Sequence, residues 1–511
     1  MRIPIDRDST KPLYRQIERF LREQILSGKL APEMRLPATR ELARSLGVNR
    51  ITINSAYAEL ESQGFIFSLP GSGSFVSPSS ASFPRIVKDQ VPPEGFPGWQ
   101  RALAGSRRRG NGTDRFHGSA VAKKDRGFIS FAGGAGDERL FPVEEFRKTL
   151  QVVLCRDGQQ ALDYGERRGY RPLRATIAGI LTSEGIPAHP EQVLITSGSQ
   201  QALALVARLL AGPGEAIAVE VPTYSGALDL FRSLDLNIIG VPLEAEGMNL
   251  EVLEQVLADV RPRLVYTIPN FHNPTGVCLS LERRRKLVDL AARFDVPILE
   301  DDYVGDLRYE GSDLPALKTL DASGGVIYVR TFSKMLMPGL RIGYILAQGP
   351  VLQYLEECKR VSDLSSSSLI QRALQSYITV GRYQAHLRKA CRAYRRRRDR
   401  LVEELSARMP QGVRWREPAG GLFLWLELPP GTSTDRVAGM AAEQCVEVVP
   451  SIRFYADGRD RPFLRLNFAD QPEDRIAEGV ARLSRALRGC LGDGGKARSE
   501  GRGVKERCEG G

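Results

Sequence analysis

Residues 326–341 read VIYVRTFSKMLMPGLR. The apolar, β-rich start forms a strand. The strand runs into Thr331, Ser333 and Lys334, then Pro338, Gly339 and Arg341. A lysine at a buried strand end, beside hydroxyls and an arginine, suits a Schiff-base lysine with a phosphate-bearing cofactor. Burial and a nearby cation lower its pKa and leave the amine nucleophilic.

Four more segments of residues 127–488 lie in the same alternation of apolar strands and amphipathic helices, the pattern of an α/β domain. LITSGSQQALALVARLL (194–210) is strand, small-residue turn and helix. It sets the N–H groups of Gly198, Ser199 and Gln200 at a helix N-terminus, where an anion is favoured. VPTYSGA (221–227) offers the Tyr224 ring, and YTIPNFHNPTG (266–276) ends a strand with the Asn273 amide. PILEDDYVGDLRY (297–309) ends another with Asp301, Asp302 and Tyr303. A carboxylate there keeps a pyridine nitrogen protonated, so that the ring acts as an electron sink.

Upstream, residues 10–78 read as a compact helical unit. Leu13, Ile17, Phe20, Leu21 and Ile25 form one stripe of a helix from Pro12 to Ser27. A short helix over 39–46, a turn at Gly47 and a third helix from Asn49 make a helix-turn-helix. Asn49, Arg50, Thr52, Asn54 and Ser55 stand outward near the start of that third helix, where base edges are reached. Phe65–Phe67 and Ser74–Val76 flank a glycine turn and form a wing.

Charge divides unevenly. Residues 1–78 hold 11 basic and 8 acidic side chains, and residues 79–126 hold 10 and 4, of a net +11 over 511 residues. That bias points to a polyanion, nucleic acid first. Residues 79–126, rich in Pro, Gly, Ser and Arg, read as a flexible basic linker whose Arg107–Arg109 run suits phosphates. Residues 489–511, with eight glycines, read as a disordered tail. Charges throughout the first 30 residues and the lack of any long apolar run give the expectation of a cytoplasmic protein that does not engage a membrane. Seven scattered cysteines fit a reducing compartment, and four distant histidines leave no metal site expected.

The stretch from Pro12 to Val76, with its LPATRELARSLGVNRIT core and GSGSFV wing, resembles the winged helix-turn-helix of the GntR regulators. The resemblance implies DNA contacts from Arg35, Arg40, Arg50, Thr52 and Gly73. Ala38 stands where that family usually has serine. NPTG, EDDY and TFSK, in this order, resemble the fold-type I pyridoxal-phosphate enzymes of the aspartate aminotransferase superfamily over residues 128–488. That implies a large, mixed but mostly parallel sheet with a smaller C-terminal α/β subdomain.

The resemblance makes Lys334 the aldimine lysine, and Asp301 the partner of the pyridine nitrogen. It gives Tyr303 and Asn273 the ring oxygen, Tyr224 the ring face, and Ser199, Gln200, Ser333 and Arg341 the phosphate. Tyr164, in DYGERRGYRPLR, resembles the tyrosine that reaches a neighbouring subunit's phosphate, which implies a head-to-tail homodimer. Arg465, in FLRLNFA, resembles the clamp for a substrate carboxylate. The Asp-x-Tyr spacing, shorter than the family's, leaves Asp301 and Asp302 both able to face the ring.

Reader, linker and aminotransferase-like body together resemble the MocR/GabR bacterial regulators. They imply a transcriptional regulator that binds double-stranded operator DNA and senses an amine or amino acid, or pyridoxal phosphate itself, by external aldimine formation at Lys334. The alternative is an active aminotransferase with an appended DNA-binding domain.

Overall fold

The computed structural model describes residues 3–6, 12–26, 29–31, 33–62, 65–69, 73–77 and 127–500, with backbone alone for 492–500. The chain divides into two compact units, Met1–Ala120 and Val121–Gly511.

In the first unit, α1 (Leu13–Leu26), α2 (Thr39–Leu46) and α3 (Arg50–Ser62) precede a hairpin of β1 (Ile66–Leu69) and β2 (Gly73–Val76). Ile17, Leu21 and Ile25 of α1 pack with Leu42, Ile53, Leu60, Ile66 and Val76 in one core. Gly47 closes α2 at φ +61°, a left-handed conformation that glycine adopts without Cβ strain. At the other end of α2, Ala38 makes no side-chain cap. The hairpin is antiparallel, with Ile66 opposite Val76 and Leu69 opposite Gly73.

The second unit is built on an eight-stranded sheet of order β4-β11-β10-β9-β8-β5-β6-β7. Its strands are β4 (Val193–Thr196), β5 (Ala216–Val221), β6 (Asn237–Glu244), β7 (Gly247–Met248), β8 (Val265–Thr267), β9 (Ile298–Asp302), β10 (Val326–Thr331) and β11 (Gly343–Leu346). Pairs β10/β9, β9/β8, β8/β5 and β5/β6 are parallel, while β11 runs antiparallel between β10 and β4. Every residue of β4, β9 and β10 is buried, the charged Glu300, Asp301, Asp302 and Arg330 included. Because β11 aligns Gly343 with both Thr331 and Thr196, the chain leaves β4 and β10 at the same edge. The carboxyl ends of β5, β8 and β9 open there too, where ligands of open α/β sheets bind.

A second sheet, ordered β12-β13-β16-β15, carries Arg465. It comprises β12 (Arg414–Trp415), β13 (Phe423–Glu427), β15 (Val449–Pro450) and β16 (Phe463–Asn467). A short strand, β3 (Ile129–Ser130), pairs in parallel with β14 (Val446–Glu447), so the segment just after position 126 is tied to the C-terminal part.

The structure departs from the sequence expectations in two places. The last helix runs Glu473–Glu500, past position 488 where the aminotransferase-like body was expected to close and the tail to begin. The arginine run 395–400, expected from its place in a long helix over about 382–408 mostly to face water, does so only in part within the helix Arg382–Arg408. The helical period turns Arg397 and Arg398 inward, and both are buried. Arg397 pairs with Asp137 at 2.6 Å, and Arg398 with Glu310 and Asp399 at 2.6 Å and Glu417 at 3.2 Å. Residues 79–126 and 501–511 lie outside the described residues. Among the described residues no helix is long and apolar enough to cross a membrane.

Candidate functional site

At the carboxyl edge of the large sheet lies a cavity of about 200 Å³. Its lining includes Gly134, Ser199, Tyr224, Asn273, Asp301, Tyr303, Lys334 and Arg465, residues far apart in sequence, with Arg465 contributed by the second sheet. Strand alternation explains which member of the acidic pair belongs here. Residues 301 and 303 share a face, and 302 points to the other. Asp302 accepts from Asn270 at 3.2 Å and Tyr328 at 2.6 Å on that other side. Asp301 Oδ2 accepts from the Tyr266 hydroxyl at 2.9 Å, and its Oδ1 is buried with no hydrogen-bond partner.

Burial pushes the Asp301 carboxyl up to about 7, against the opposing pull of Tyr266 and of the Lys334 charge. Lys334 is lowered to about 8, by burial first, then by the charges of Arg465 and Arg341. The two groups therefore both titrate near neutrality, where a proton moves between states at little cost.

The helix Ser199–Leu210 begins at the cavity wall. Gly198 sits at φ +82°, and a Cβ there would come within 2.7 Å of Arg341 Nη2, so only glycine lets the guanidinium approach this turn. Arg341 donates to Ser197 O at 3.0 Å. Gln200 Nε2 donates to Gly226 O at 2.9 Å, and the first backbone N–H groups of any helix have no partner within it and so favour an anion. Ser333 Oγ is buried and without a partner.

Arg465 donates from Nη1 to Asn273 at 3.2 Å, and from Nη2 to Ala132 O at 2.8 Å and Gly133 O at 3.3 Å. Its guanidinium lies 4.2 Å from the Phe423 ring centre and 5.2 Å from that of Phe454, while Nε has no partner. Burial lowers this guanidinium to about 10. Tyr303 donates to Phe271 O at 2.8 Å, and its ring stacks on Phe423. The Tyr224 hydroxyl reaches Gln200 Oε1 at 3.4 Å, and a side chain at Gly226 would collide with its ring.

Three buried atoms at this site thus lack partners: Asp301 Oδ1, Ser333 Oγ and Arg465 Nε. Each such atom costs about 1–3 kcal/mol if nothing fills the gap, more when charged. A phosphorylated pyridine aldehyde supplies a ring N–H for the first and a phosphate oxygen for the second. A ligand carboxylate supplies the third. Pyridoxal phosphate therefore fits the residues present.

Tyr164 does not line the cavity; it is 82% exposed. Sequence reading missed Tyr266, Glu220 and His272. Buried Glu220 accepts from Thr267 Oγ1 at 2.8 Å and from Ile268 N at 2.9 Å, and its Oε2 stands 3.3 Å from His272 Nε2. The signal was an acidic residue inside the otherwise apolar strand AIAVEV.

In the other unit, Arg35, Arg40, Asn49, Arg50 and Asn54 are exposed and Thr52 is half-buried. Asn49 Oδ1 is committed to the N–H of Ile51 at 3.0 Å, which caps α3. Gly73 lies at φ +109°, and a Cβ there would stand 3.2 Å from Arg35 Nε, so wing and arginine meet closely. The Tyr57 hydroxyl donates to Pro37 O at 2.9 Å and ties α3 to the entry of α2.

The family description "Aminotransferase class I and II" matches residues 133–483, and "Bacterial regulatory proteins, gntR family" matches residues 13–76. The HTH-type transcriptional regulator TauR of Rhodobacter capsulatus is 32% identical, over 96% of this chain and 100% of its own. Aromatic-amino-acid aminotransferase 1 of Thermococcus litoralis is 38% identical, over 70% of this chain and 88% of its own. Among solved structures, LysN of Thermus thermophilus, an α-aminoadipate aminotransferase complexed with N-(5'-phosphopyridoxyl)-L-leucine, is 36% identical with a TM-score of 0.71. That match spans 78% of this chain and 100% of LysN.

Proposed function

The chain belongs to the class I and II aminotransferases and carries a gntR-family reader ahead of that body, and on this footing we propose that it is a pyridoxal-phosphate-dependent regulator that changes its hold on operator DNA when an amine or amino acid enters the Lys334 cavity. The observation that carries the reading is one cavity in which an amine lowered to about 8 meets a buried carboxyl with an unpaired Oδ1.

Ser199, Gln200, Ser333 and Arg341 hold the phosphate, and Asp301 Oδ1 holds the proton of the ring nitrogen. Tyr303 and Asn273 take the ring oxygen, and Tyr224 covers the ring. Bound there, pyridoxal phosphate supplies an aldehyde carbon that bonds amines reversibly and a ring that withdraws electrons from them. Lys334 presents an amine that is uncharged more often at neutral pH than an ordinary lysine.

The effector's carboxylate goes to Arg465, whose planar fork suits it. Arg465 now holds the carbonyls of Ala132 and Gly133, and Asn467 holds Gly133 and Ala135 at 2.9 Å. A carboxylate competes for that grip, and this segment follows directly on the linker and β3. Occupancy of the cavity is thereby passed toward the linker. The ligand moves the balance only by its differential affinity for the two arrangements. Exposed Tyr164 belongs to the phosphate site of a neighbouring copy in a head-to-tail homodimer.

A second reading, an active aminotransferase with an appended reader, is favoured by the complete set of cavity residues. One titration separates the two. The purified yellow protein is mixed with a panel of amines, with and without upstream DNA. Absorption and DNA affinity are followed together. Sensing predicts a saturable spectral change at one equivalent per cavity and an altered affinity for DNA. Sustained release of keto acid with unaltered DNA affinity would establish the enzyme and overturn the sensor.

A further inference from the structure

The outward stripe of α3 carries more than charge. Ile53, Ala56, Tyr57 and Leu60 are buried on one side of this helix. Ile51, Asn54, Ser55 and Ala58, at i, i+3, i+4 and i+7, are all exposed on the other. Ile51 is 70% exposed, against 47% for Met34, the other exposed large apolar side chain among the described residues of this unit. An isolated apolar side chain on a surface is ordinary. This one occupies the first turn of the helix, with its N–H held by Asn49. Arg40, Arg44 and Arg50 are exposed and make no ion pair among the described residues. Asn54 likewise has no hydrogen-bond partner among the described residues.

The chemistry of this stripe selects a particular edge of the duplex. Arginines bind phosphate or guanine. A free carboxamide matches the N6 and N7 atoms of adenine. The apolar feature of the major groove is the C5-methyl group of thymine. Side chains three apart on a helix stand about 5–6 Å from each other, and stacked base pairs rise about 3.4 Å, so the two contacts fall one or two pairs apart. We propose that Asn54 and Ile51 together read an A·T-containing step in each half-site, Asn54 on an adenine edge and Ile51 on a thymine methyl group. The proposal rests on α3 being the recognition helix and adds the base class that it recognises.

The test uses the full, cofactor-loaded chain and a pool of randomised duplexes. Bound duplexes are sequenced, and each thymine of the recovered half-site is replaced singly by deoxyuridine, which keeps every hydrogen bond and lacks the methyl group. Wild type is expected to lose about fourfold in affinity at one such position per half-site, the worth of one buried methyl group. Ile51→Ala is expected to be indifferent to that replacement, Ile51→Val to fall between, and Asn54→Ala to lose the preference for the neighbouring adenine. An Ile51→Ala protein with the full wild-type penalty for deoxyuridine overturns the proposal. So does a recovered half-site without an A·T pair, although sequence enrichment that Arg50→Ala abolishes would still uphold the reader. No enrichment by wild type sinks reader and proposal together.

Discussion

The outward face of α3 and the cavity at the carboxyl edge of the large sheet both present polar groups without partners among the described residues, but at different cost. On α3 the groups are exposed, water satisfies them, and phosphate contacts made there weaken with salt. In the cavity Asp301, Ser333 and Arg465 are buried, with Asp301 raised to about 7 and Arg465 lowered to about 10. These groups are desolvated in advance, so a matching ligand recovers energy that water cannot supply. The reader is a surface that waits in solvent, whereas the cavity is strained until it is filled.

Replacing the buried carboxyl tests the cavity side with the largest effect. Asp301→Asn should weaken cofactor binding roughly hundredfold in a spectral titration, since a buried charged contact is worth about 3 kcal/mol. The same change should stabilise the cofactor-free protein. A carboxyl raised in the fold above its unfolded value near 4 resists ionisation. Its burden is absent below pH 4, grows between 4 and 7, and is full above 7. Thermal unfolding at pH 8 should therefore rise by about 5 °C in Asp301→Asn and be unchanged at pH 4. An unchanged midpoint at pH 8 would remove the strain from the account.

On the reader side, Arg50→Ala should weaken operator binding about tenfold, leave the cofactor spectrum alone and flatten the salt dependence by about one phosphate contact. Equal affinity in a gel shift would place recognition elsewhere. The smallest expected effect is a gain. Ala38 begins α2 without a side-chain cap and Glu41 stands at the third position, so Ala38→Ser completes a capping box. Hydrogen exchange of α2 in the full chain should slow by an amount equivalent to about 1 kcal/mol, with no change at the cavity.

The reader was legible because its signals are local. Leucine and isoleucine spacing, Gly47 and the glycine turn gave α1, α2, α3 and the wing to within a residue or two. The mixed, mostly parallel character of the large sheet came through the motif resemblance, but its strand order did not, since which parallel strands adjoin is not written in any short segment. Lys334, Asp301, Asn273 and Tyr303 could be named in advance because each lies at or after the carboxyl end of a strand, within a short recurring motif. Asp301 separates from Asp302 by simple alternation once the strand is seen to run through both. What stayed hidden was the partners. Tyr266 holds Asp301 from a strand whose pattern reads only as buried, and Arg465's hold on Ala132 and Gly133 joins segments more than three hundred residues apart. The inward turn of Arg397 and Arg398 was missed for the same reason, because a run of like charges says nothing of the acids that meet it.

The most direct measurement is the visible absorption of the purified full chain beside that of Lys334→Ala, each soaked in pyridoxal phosphate and then freed of excess. The wild type should be yellow and keep its band, and Lys334→Ala should lose it while still binding DNA. A colourless wild type, or a Lys334→Ala spectrum that matches it, would contradict the account.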